Sequence, residues 1–342
     1  MAYPTDRTLY WRLDSTSGTQ DGTADTAGNS GTAAFESFEA LLAYVALTDA
    51  DLTGQGVLFL KCSQTGRETP SAVVSLSVIT TTATDYLDIE CTGDARHNGV
   101  SYEVDSNCYQ MQRAGDTFRP NTGYNRIKGI EFSSSSSGSF EPFAQETNHG
   151  TGSSDMRWDE LLITCTDATL NGNYGCNLGG NSTMSITNSL IIANGKRGAD
   201  FRGGVVTANH CGIISANTYG LMVDSAAIVN NTWAYSTHAS KTEDWYSGVT
   251  VGTNNSSLDG TATTSTGEVT ISAGASEFTS YTADPATADL TLKDSLLNEA
   301  GTGSEAVDIT GSARTGTADI GPFNYAAAST DTAIIVPTGP WR

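Results

Sequence analysis

Apolar residues come along most of this chain in short packets. "GVLFLKC", "SAVVSLSVIT", "DYLDIEC", "YNRIKGIEF", "WDELLITC", "MSITNSLIIA", "VVTANHCGIIS", "AAIVNNTWAY", "SGVTVGTNN" and "GEVTISA" follow one another over residues 56–273. Each holds a few β-branched or aromatic residues, and most are bounded by Gly, Asn, Asp or Ser. That is the pattern of short strands separated by turns. One stretch differs. In "GTAAFESFEALLAYVAL", residues 31–47, Phe35, Phe38, Leu41, Leu42 and Val45 recur at helical spacing. A single short amphipathic helix ahead of a long β region predicts an end cap. The first thirty residues, polar and Gly/Thr-rich after "LYWRL", read as an arm or cap with Tyr10 and Trp11 as anchors.

In the middle of the chain the packets repeat. Asn188, Asn209 and Asn230 stand 21 residues apart, and the pairs Ile191–Ile192 and Ile213–Ile214 follow at nearly equal offsets. One such unit cannot bury its apolar side chains alone, whereas stacked units bury them in a narrow continuous core. Asn side chains stacked at one corner can also hydrogen-bond along the stack. The pattern therefore predicts an all-β fold, a parallel β-solenoid rather than an antiparallel sandwich. With coils of about 22 residues spaced about 4.8 Å apart, some dozen coils make a rod about 60 Å long. The expected organisation is an arm or cap over 1–30, a capping helix and lead-in over 31–55, the parallel β-helix over 56–325 and a tail over 326–342. The tail carries the apolar run "TAIIVP" and is expected to attach the protein or cover the open end.

Composition narrows the partners. The net charge is −21 with 17 Lys+Arg in 342 residues, which argues against nucleic acid, since phosphate binding needs clustered cations. No apolar run reaches the length of a transmembrane helix. "MAYPTDRTLYWRLD" has neither a basic start nor an apolar h-region, so no signal peptide is expected. Cys62, Cys91, Cys108, Cys165, Cys176 and Cys211 show no C-x-x-C or zinc spacing and are expected to be buried thiols, with disulfides the alternative.

Candidate chemistry is sparse. In residues 194–204, "NGKRGADFRGG", Lys196, Arg197 and Arg202 surround Asp200. A lyase acting on acidic sugars needs a basic proton abstractor and carboxylates that hold calcium. The plainer reading is a solvated loop between two coils. Glycoside hydrolysis needs two carboxylates facing each other across a sugar. Asp159 and Glu160 are neighbours in a predicted strand, so they are expected to point to opposite faces. Residues 49–54, "DADLTG", open like a calcium loop, but the twelfth position is Leu60, where a bidentate Glu is required. His210 has no second ligand cluster beside it and is expected to be packed in a coil, and His97 reads as a turn residue. "SSSSSGS", residues 133–139, reads as a flexible loop or a stacked polar turn. Trp233, Tyr235, Trp245 and Tyr246 lie close together, either as exposed rings for sugars or interfaces or as packing for a long loop. No catalytic, cofactor-binding or metal-ligating residue is assigned, and no cofactor is expected.

The end of the chain adds a resemblance. Residues 289–325, "DLTLKDSLLNEAGTGSEAVDITGSARTGTADIGPFNY", resemble the final coils of right-handed parallel β-helix (pectate-lyase-like) repeat proteins. The matching residues are Asp289, Leu290, Leu292, Gly301, Arg314, Asp319, Ile320, Gly321, Phe323 and Tyr325. Pro322 and Asn324 stand where the family has Ala and Glu. The resemblance implies a single-stranded right-handed parallel β-helix closed by this segment, with Ile320 and Phe323 plugging the core and Gly321 in tight approach. It says little about chemistry, because enzymes, phage tailspikes, phage head proteins and bacterial surface proteins share such solenoids. The acidity, the missing secretion signal and the lack of a catalytic constellation favour a bacteriophage virion structural protein. It would be a capsid decoration, head spike or tail-associated fibre that projects a rigid rod and can touch host glycan. Its expected partners are other virion proteins, two further copies in a homotrimer and a host surface glycan, with no nucleic acid and no membrane insertion. Its expected place is the virion surface, after synthesis in the host cytoplasm. The alternatives are a polysaccharide depolymerase or lyase of tailspike type, and a bacterial surface adhesin, which would need a secretion signal or anchor.

Overall fold

The computed structural model describes residues 6–323 apart from 98, 100–107, 137, 139, 146–148, 150–153, 171–172, 202, 218, 224–226, 241–242, 248–251, 263–265, 272–277, 293–296, 298–300, 302–307, 311 and 315–318. The chain is mostly β, in long parallel sheets of many stacked strands, the arrangement expected of a solenoid. From Leu58–Cys62 to Glu243–Ser247 it visits three sheets in turn, so that strands three apart in the chain pair with each other. The first sheet has eight strands, from Arg7–Trp11 and Leu58–Cys62 through Asp155–Asp159, Thr183–Thr187 and Val205–Asn209 to Ile228–Asn230. The second has nine, including Glu131–Ser134, Leu162–Cys165, Leu190–Ala193, Gly212–Ser215 and Trp233–Ser236 and ending at Val269–Thr270. The third has seven, including Phe143–Gln145, Tyr174–Leu178, Arg197–Phe201, Tyr219–Val223 and Glu243–Ser247.

In-register pairing turns a repeated sequence position into a column of like side chains. In the first sheet Leu9, Leu60, Ile89, Ile127, Trp158, Ile186, Ala208 and Val229 stack rung upon rung, all buried. In the second, Met111, Phe132, Ile163, Ile191, Ile213 and Ala234 do the same. In the third, Phe143, Cys176, Ala199, Leu221 and Trp245 complete the shared core. Each rung buries apolar area that it could not bury alone. The six cysteines are buried thiols.

Among the described residues the stack is shorter than the expected rod, the nine strands of the second sheet spanning roughly 38 Å. Early rungs consume more chain than late ones: the step is 29 residues from Leu58 to Leu87 and 22 from Met184 to Val206. The stack also begins earlier than the coil pattern suggested. Residues 7–11, read as part of an arm, form the first strand of the first sheet, with Trp11 fully buried. The capping helix runs Phe38–Thr48, with Phe38, Leu41, Leu42 and Val45 buried. It starts later than the periodicity predicts because Ser37 caps it, its side chain accepting from Ala40 N at 3.0 Å. Phe35 instead pairs with Trp11 in an isolated bridge. The buried Glu68 carboxylate accepts from Phe38 N at 2.8 Å and Glu39 N at 3.0 Å, satisfying two otherwise orphaned helix donors. Among the described residues no helix is long and apolar enough to cross a membrane.

The Asn recurrence is real but its register differs from the sequence reading. Asn209 and Asn230 align with Thr187, not with Asn188, because the rungs here are 22 and 21 residues long. The true corner column is Glu160, Asn188, His210, Asn231 and Asn254, each two residues ahead of a second-sheet strand. Among the described residues these are all the non-glycine residues with positive φ, from 44° to 53°. Asn tolerates this left-handed turn better than most residues. Hydrogen bonds do run along the stack, one diagonal and one within the corner column. Asn231 Nδ2 donates to Asn209 Oδ1 at 2.8 Å, and Asn254 Nδ2 to Asn231 Oδ1 at 3.4 Å.

The described residues of 289–323 do not form a further rung of the three sheets. Asp289–Leu292 pairs antiparallel with Phe278–Ser280, outside the three sheets. Ile320 and Phe323 are buried, but in a second apolar cluster with Leu162, Leu190, Ile214 and Trp233 on the other face of the second sheet. Gly321 does make a tight approach: at φ 101° its missing Cβ would lie 2.2 Å from Trp233 Nε1. The segment is fastened to three successive corners. Arg314 Nη2 donates to Asn188 Oδ1 at 3.2 Å, His210 Nδ1 lies 3.1 Å from the Asp319 carbonyl, and Gly321 N donates to Asn231 O at 2.7 Å. Tyr325 and the expected tail lie outside the described residues.

Candidate functional site

The third sheet owes its shape to a glycine column. Gly175, Gly198 and Gly220 occupy the same register position on successive rungs. A Cβ on Gly198 would lie 2.0 Å from the Gly220 carbonyl oxygen and 2.5 Å from Ile213 Cγ2 of the second sheet. Only glycine lets the two sheets come this close. The residue before each glycine is large: Tyr174, Arg197 and Tyr219.

These three side chains associate along the stack. The Arg197 guanidinium lies 5.6 Å from the Tyr174 ring centroid and 5.2 Å from that of Tyr219. Both distances fit a cation over an aromatic ring. Arg197 Nη1 donates to Tyr174 Oη at 3.3 Å, and Tyr174 Oη donates to Met222 Sδ at 3.1 Å. Tyr246, 44% exposed, continues the cluster with its ring centroid 5.0 Å from that of Tyr219. By register Glu243 continues the column beside Tyr219, whereas Glu141, level with Tyr174, is buried and accepts from Asn177 Nδ2 at 3.2 Å. Tyr174 is buried and the Arg197 guanidinium lies over its ring and that of Tyr219, so Tyr246 holds the exposed ring of the cluster.

The residues singled out from the sequence fall elsewhere or play other parts. "RGADF" is a strand of the third sheet, not a solvated loop. Lys196 is fully buried, and its ammonium is held by the Gly138 and Phe140 carbonyls, so it fastens the serine-rich segment. Arg197 joins the tyrosines. Asp200 is buried in register with Asn177 and Met222, and Arg202 lies outside the described residues. Asp159 and Glu160 do not point apart. Glu160 sits at the left-handed corner, and Lys128 Nζ reaches both, at 3.1 Å and 3.4 Å. Glu160 also pairs with Arg96 at 2.7 Å while fully buried, and burial raises its pKa, with Asp159 adding to the shift. Both carboxylates are thus bound up in ion pairs.

Asp49 pairs with Arg7 at 2.5 Å, and Asp51 Oδ1 accepts from Thr53 N, so "DADLTG" is a turn tied to the first strand. His97 is buried, with Nε2 2.5 Å from the Glu160 carbonyl, and burial lowers its pKa to about 4. His210 is likewise buried and lowered to about 4, first by burial and then by Arg314. Ser133 and Ser134 are buried strand residues, so the serine run begins inside the second sheet. Trp233, Tyr235 and Trp245 are buried, and Tyr246 alone of that group is exposed. Sequence reasoning passed over Tyr174 and Tyr219. A signal was there: Tyr-Gly-Cys, Arg-Gly-Ala and Tyr-Gly-Leu recur at steps of 23 and 22 residues.

Comparison with known proteins yields no match among family models, curated proteins or solved structures.

Proposed function

We propose that the three sheets close on one another as a single-stranded right-handed parallel β-helix, and that this rigid body is a structural part of a bacteriophage particle. In this reading it is a capsid decoration, head spike or tail-associated fibre, made in the host cytoplasm, displayed on the virion surface and associated in threes. It presents a face that contacts host glycan. The observation that carries the proposal is the unbroken cycling of the chain through three in-register parallel sheets. Such a stack is stiff along its axis and suited to projecting a surface. A net charge of −21, which keeps a crowded surface protein soluble, supports it. The ion pairs that hold Asp159 and Glu160 favour a structural over a hydrolytic role.

The test is immunogold electron microscopy and sedimentation of lysates that contain the protein. Label on phage particles, with the protein co-sedimenting, is the expected result. A free monomer that depolymerises a polysaccharide overturns the proposal.

A further inference from the structure

We propose that residues 333–336, the run "AIIV" of "TAIIVP", dock within their own chain in an apolar groove between the capping helix and the first strand of the third sheet. The proposal does not depend on the protein being a phage component. The groove has a volume of about 310 Å³. Leu42, Ala43 and Ala46 of the helix line one side, and Val73, Val74 and Val78 the other. Val78 is a large apolar side chain left 53% exposed there. The groove also runs along a sheet edge. Val74–Ser75 is the end strand of the third sheet, and among the described residues a strand pairs with it on one side only. Val74 N donates to Thr117 O at 3.1 Å, toward the neighbouring strand Phe118–Arg119. Successive residues of a parallel ladder turn their backbone groups to opposite sides, so Val73 and Ser75, which both line the groove, turn theirs the other way. An edge of this kind beside apolar side chains is a template for one more extended segment.

Chemistry and reach select the occupant. Ile334, Ile335 and Val336 are β-branched and uncharged, the residue type that a half-buried edge favours. The run is also tethered close by. The Phe323 carbonyl accepts from Arg314 Nη1 at 3.2 Å, and Arg314 Nη2 donates to Asn188 Oδ1 at 3.2 Å. Phe323 therefore sits beside the corner that leads into Leu190–Ala193. Four steps along the second sheet, about 19 Å, separate that strand from Gly66–Glu68, which leads into Val74–Ser75. The nine residues 324–332 reach about 30 Å when extended. A run tethered at that distance meets the groove at an effective concentration on the order of millimolar, which favours the chain's own segment over a second copy. Residues 1–5, "MAYPT", fit the edge less well, because Pro4 has no N–H to give it.

The experiment uses the full chain in two measurements. In the first, a photoreactive benzophenone side chain replaces that of the exposed Val78, and isotopically light and heavy chains are mixed before irradiation. Cross-links from position 78 to residues 333–336 of the same chain are the expected result. In the second, amide hydrogen exchange is followed by mass spectrometry. Ala43→Glu adds a charge at an exposed position of the groove, and it is expected to speed exchange at residues 333–336 about tenfold or more. Ile335→Asp is expected to speed exchange at residues 73–75 in return, while Leu190–Ala193 exchanges as in wild type. Leu47→Ala, an exposed apolar position of the same helix outside the groove, is the control expected to change neither. Cross-links that join light to heavy chains make the occupant a second copy and overturn the proposal. Cross-links that fall on residues 1–5 overturn it too, as does exchange at residues 333–336 that Ala43→Glu leaves unchanged.

Discussion

The molecule holds two apolar clusters built on different principles. The inner one lies among the three sheets and consists of columns, so that each rung supplies the same positions: Ile127, Trp158 and Ile186 in the first sheet, Ile163, Ile191 and Ile213 in the second. The outer one lies on the far face of the second sheet. There Leu162, Leu190, Ile192, Ile214, Trp233 and Tyr235 are regular, but the residues that cover them, Phe278, Leu290, Leu297, Ile309, Ile320 and Phe323, follow no period. The strands record the difference. First-sheet strands alternate, as in Thr183–Thr187, buried at every second residue, while Leu190–Ala193 and Gly212–Ser215 are buried throughout. A sheet with both faces covered loses its polar alternation. Periodic contacts thus build the stack, and aperiodic ones clamp the end of the chain to its side.

The sharpest way to break the inner cluster is Gly198→Val. Its Cβ would meet the Gly220 carbonyl and Ile213, and backbone cannot swing aside as a side chain can. The expected loss is about 4 kcal/mol or more, read as a collapse of the cooperative denaturant transition. A wild-type midpoint would mean that the second and third sheets are not packed so closely. Next comes a paired test, Trp158→Ala against Trp233→Ala. Both side chains are fully buried. Trp158 donates from Nε1 to Asn125 Oδ1 at 2.8 Å inside the inner cluster. Trp233 stacks on Tyr235 at 5.3 Å and touches Phe278 at 4.9 Å in the outer one. Each truncation costs about 3–5 kcal/mol where it acts. Trp158→Ala is expected to lower the global transition. Trp233→Ala is expected to expose residues 278–323 to proteolysis and hydrogen exchange well before the stack unfolds. Equal shifts of one transition would show the two clusters to be a single cooperative unit.

Legibility in the sequence follows the same division. The first two sheets were visible because their strands are β-branched and come in pairs around a two-residue corner. "MSITNSLIIA" covers all but the first residue of Thr183–Thr187 and the whole of Leu190–Ala193, and "VVTANHCGIIS" spans Val205–Asn209 and Gly212–Ser215. The third sheet was nearly invisible. Its strands, such as "YGCNL" and "RGADF", carry the glycine column and the polar residues Asn177 and Asp200, which read as loop by propensity. That is why Arg197 and Asp200 looked like loop chemistry, and why Tyr174 and Tyr219 were missed. The closing motif was legible as an end of the fold but not as a side clamp. Burial of Ile320 and Phe323 depends on an apolar outer face of the second sheet, which the run "LIIA" encodes without saying which side its partner takes.

The smallest expected effect separates the clusters by pH. His97 sits over the corner at Glu160, near Arg96, and His210 touches the Asp319 carbonyl, near Arg314. Burial lowers both to about 4, against about 6.5 in an unfolded chain. Between those values the unfolded chain binds protons that the folded one refuses, so stability falls as pH drops from about 6.5 toward 4 and levels off below. Each histidine contributes a slope of up to about 1.4 kcal/mol per pH unit. His97→Gln is expected to flatten the pH dependence of global unfolding between pH 6.5 and 4.5. His210→Gln is expected to flatten instead the acid release of residues 278–323, followed by limited proteolysis across the same range. An unchanged release profile in His210→Gln would mean that the ring already takes up its proton in the fold. The end segment would then not bury His210 against the corner column.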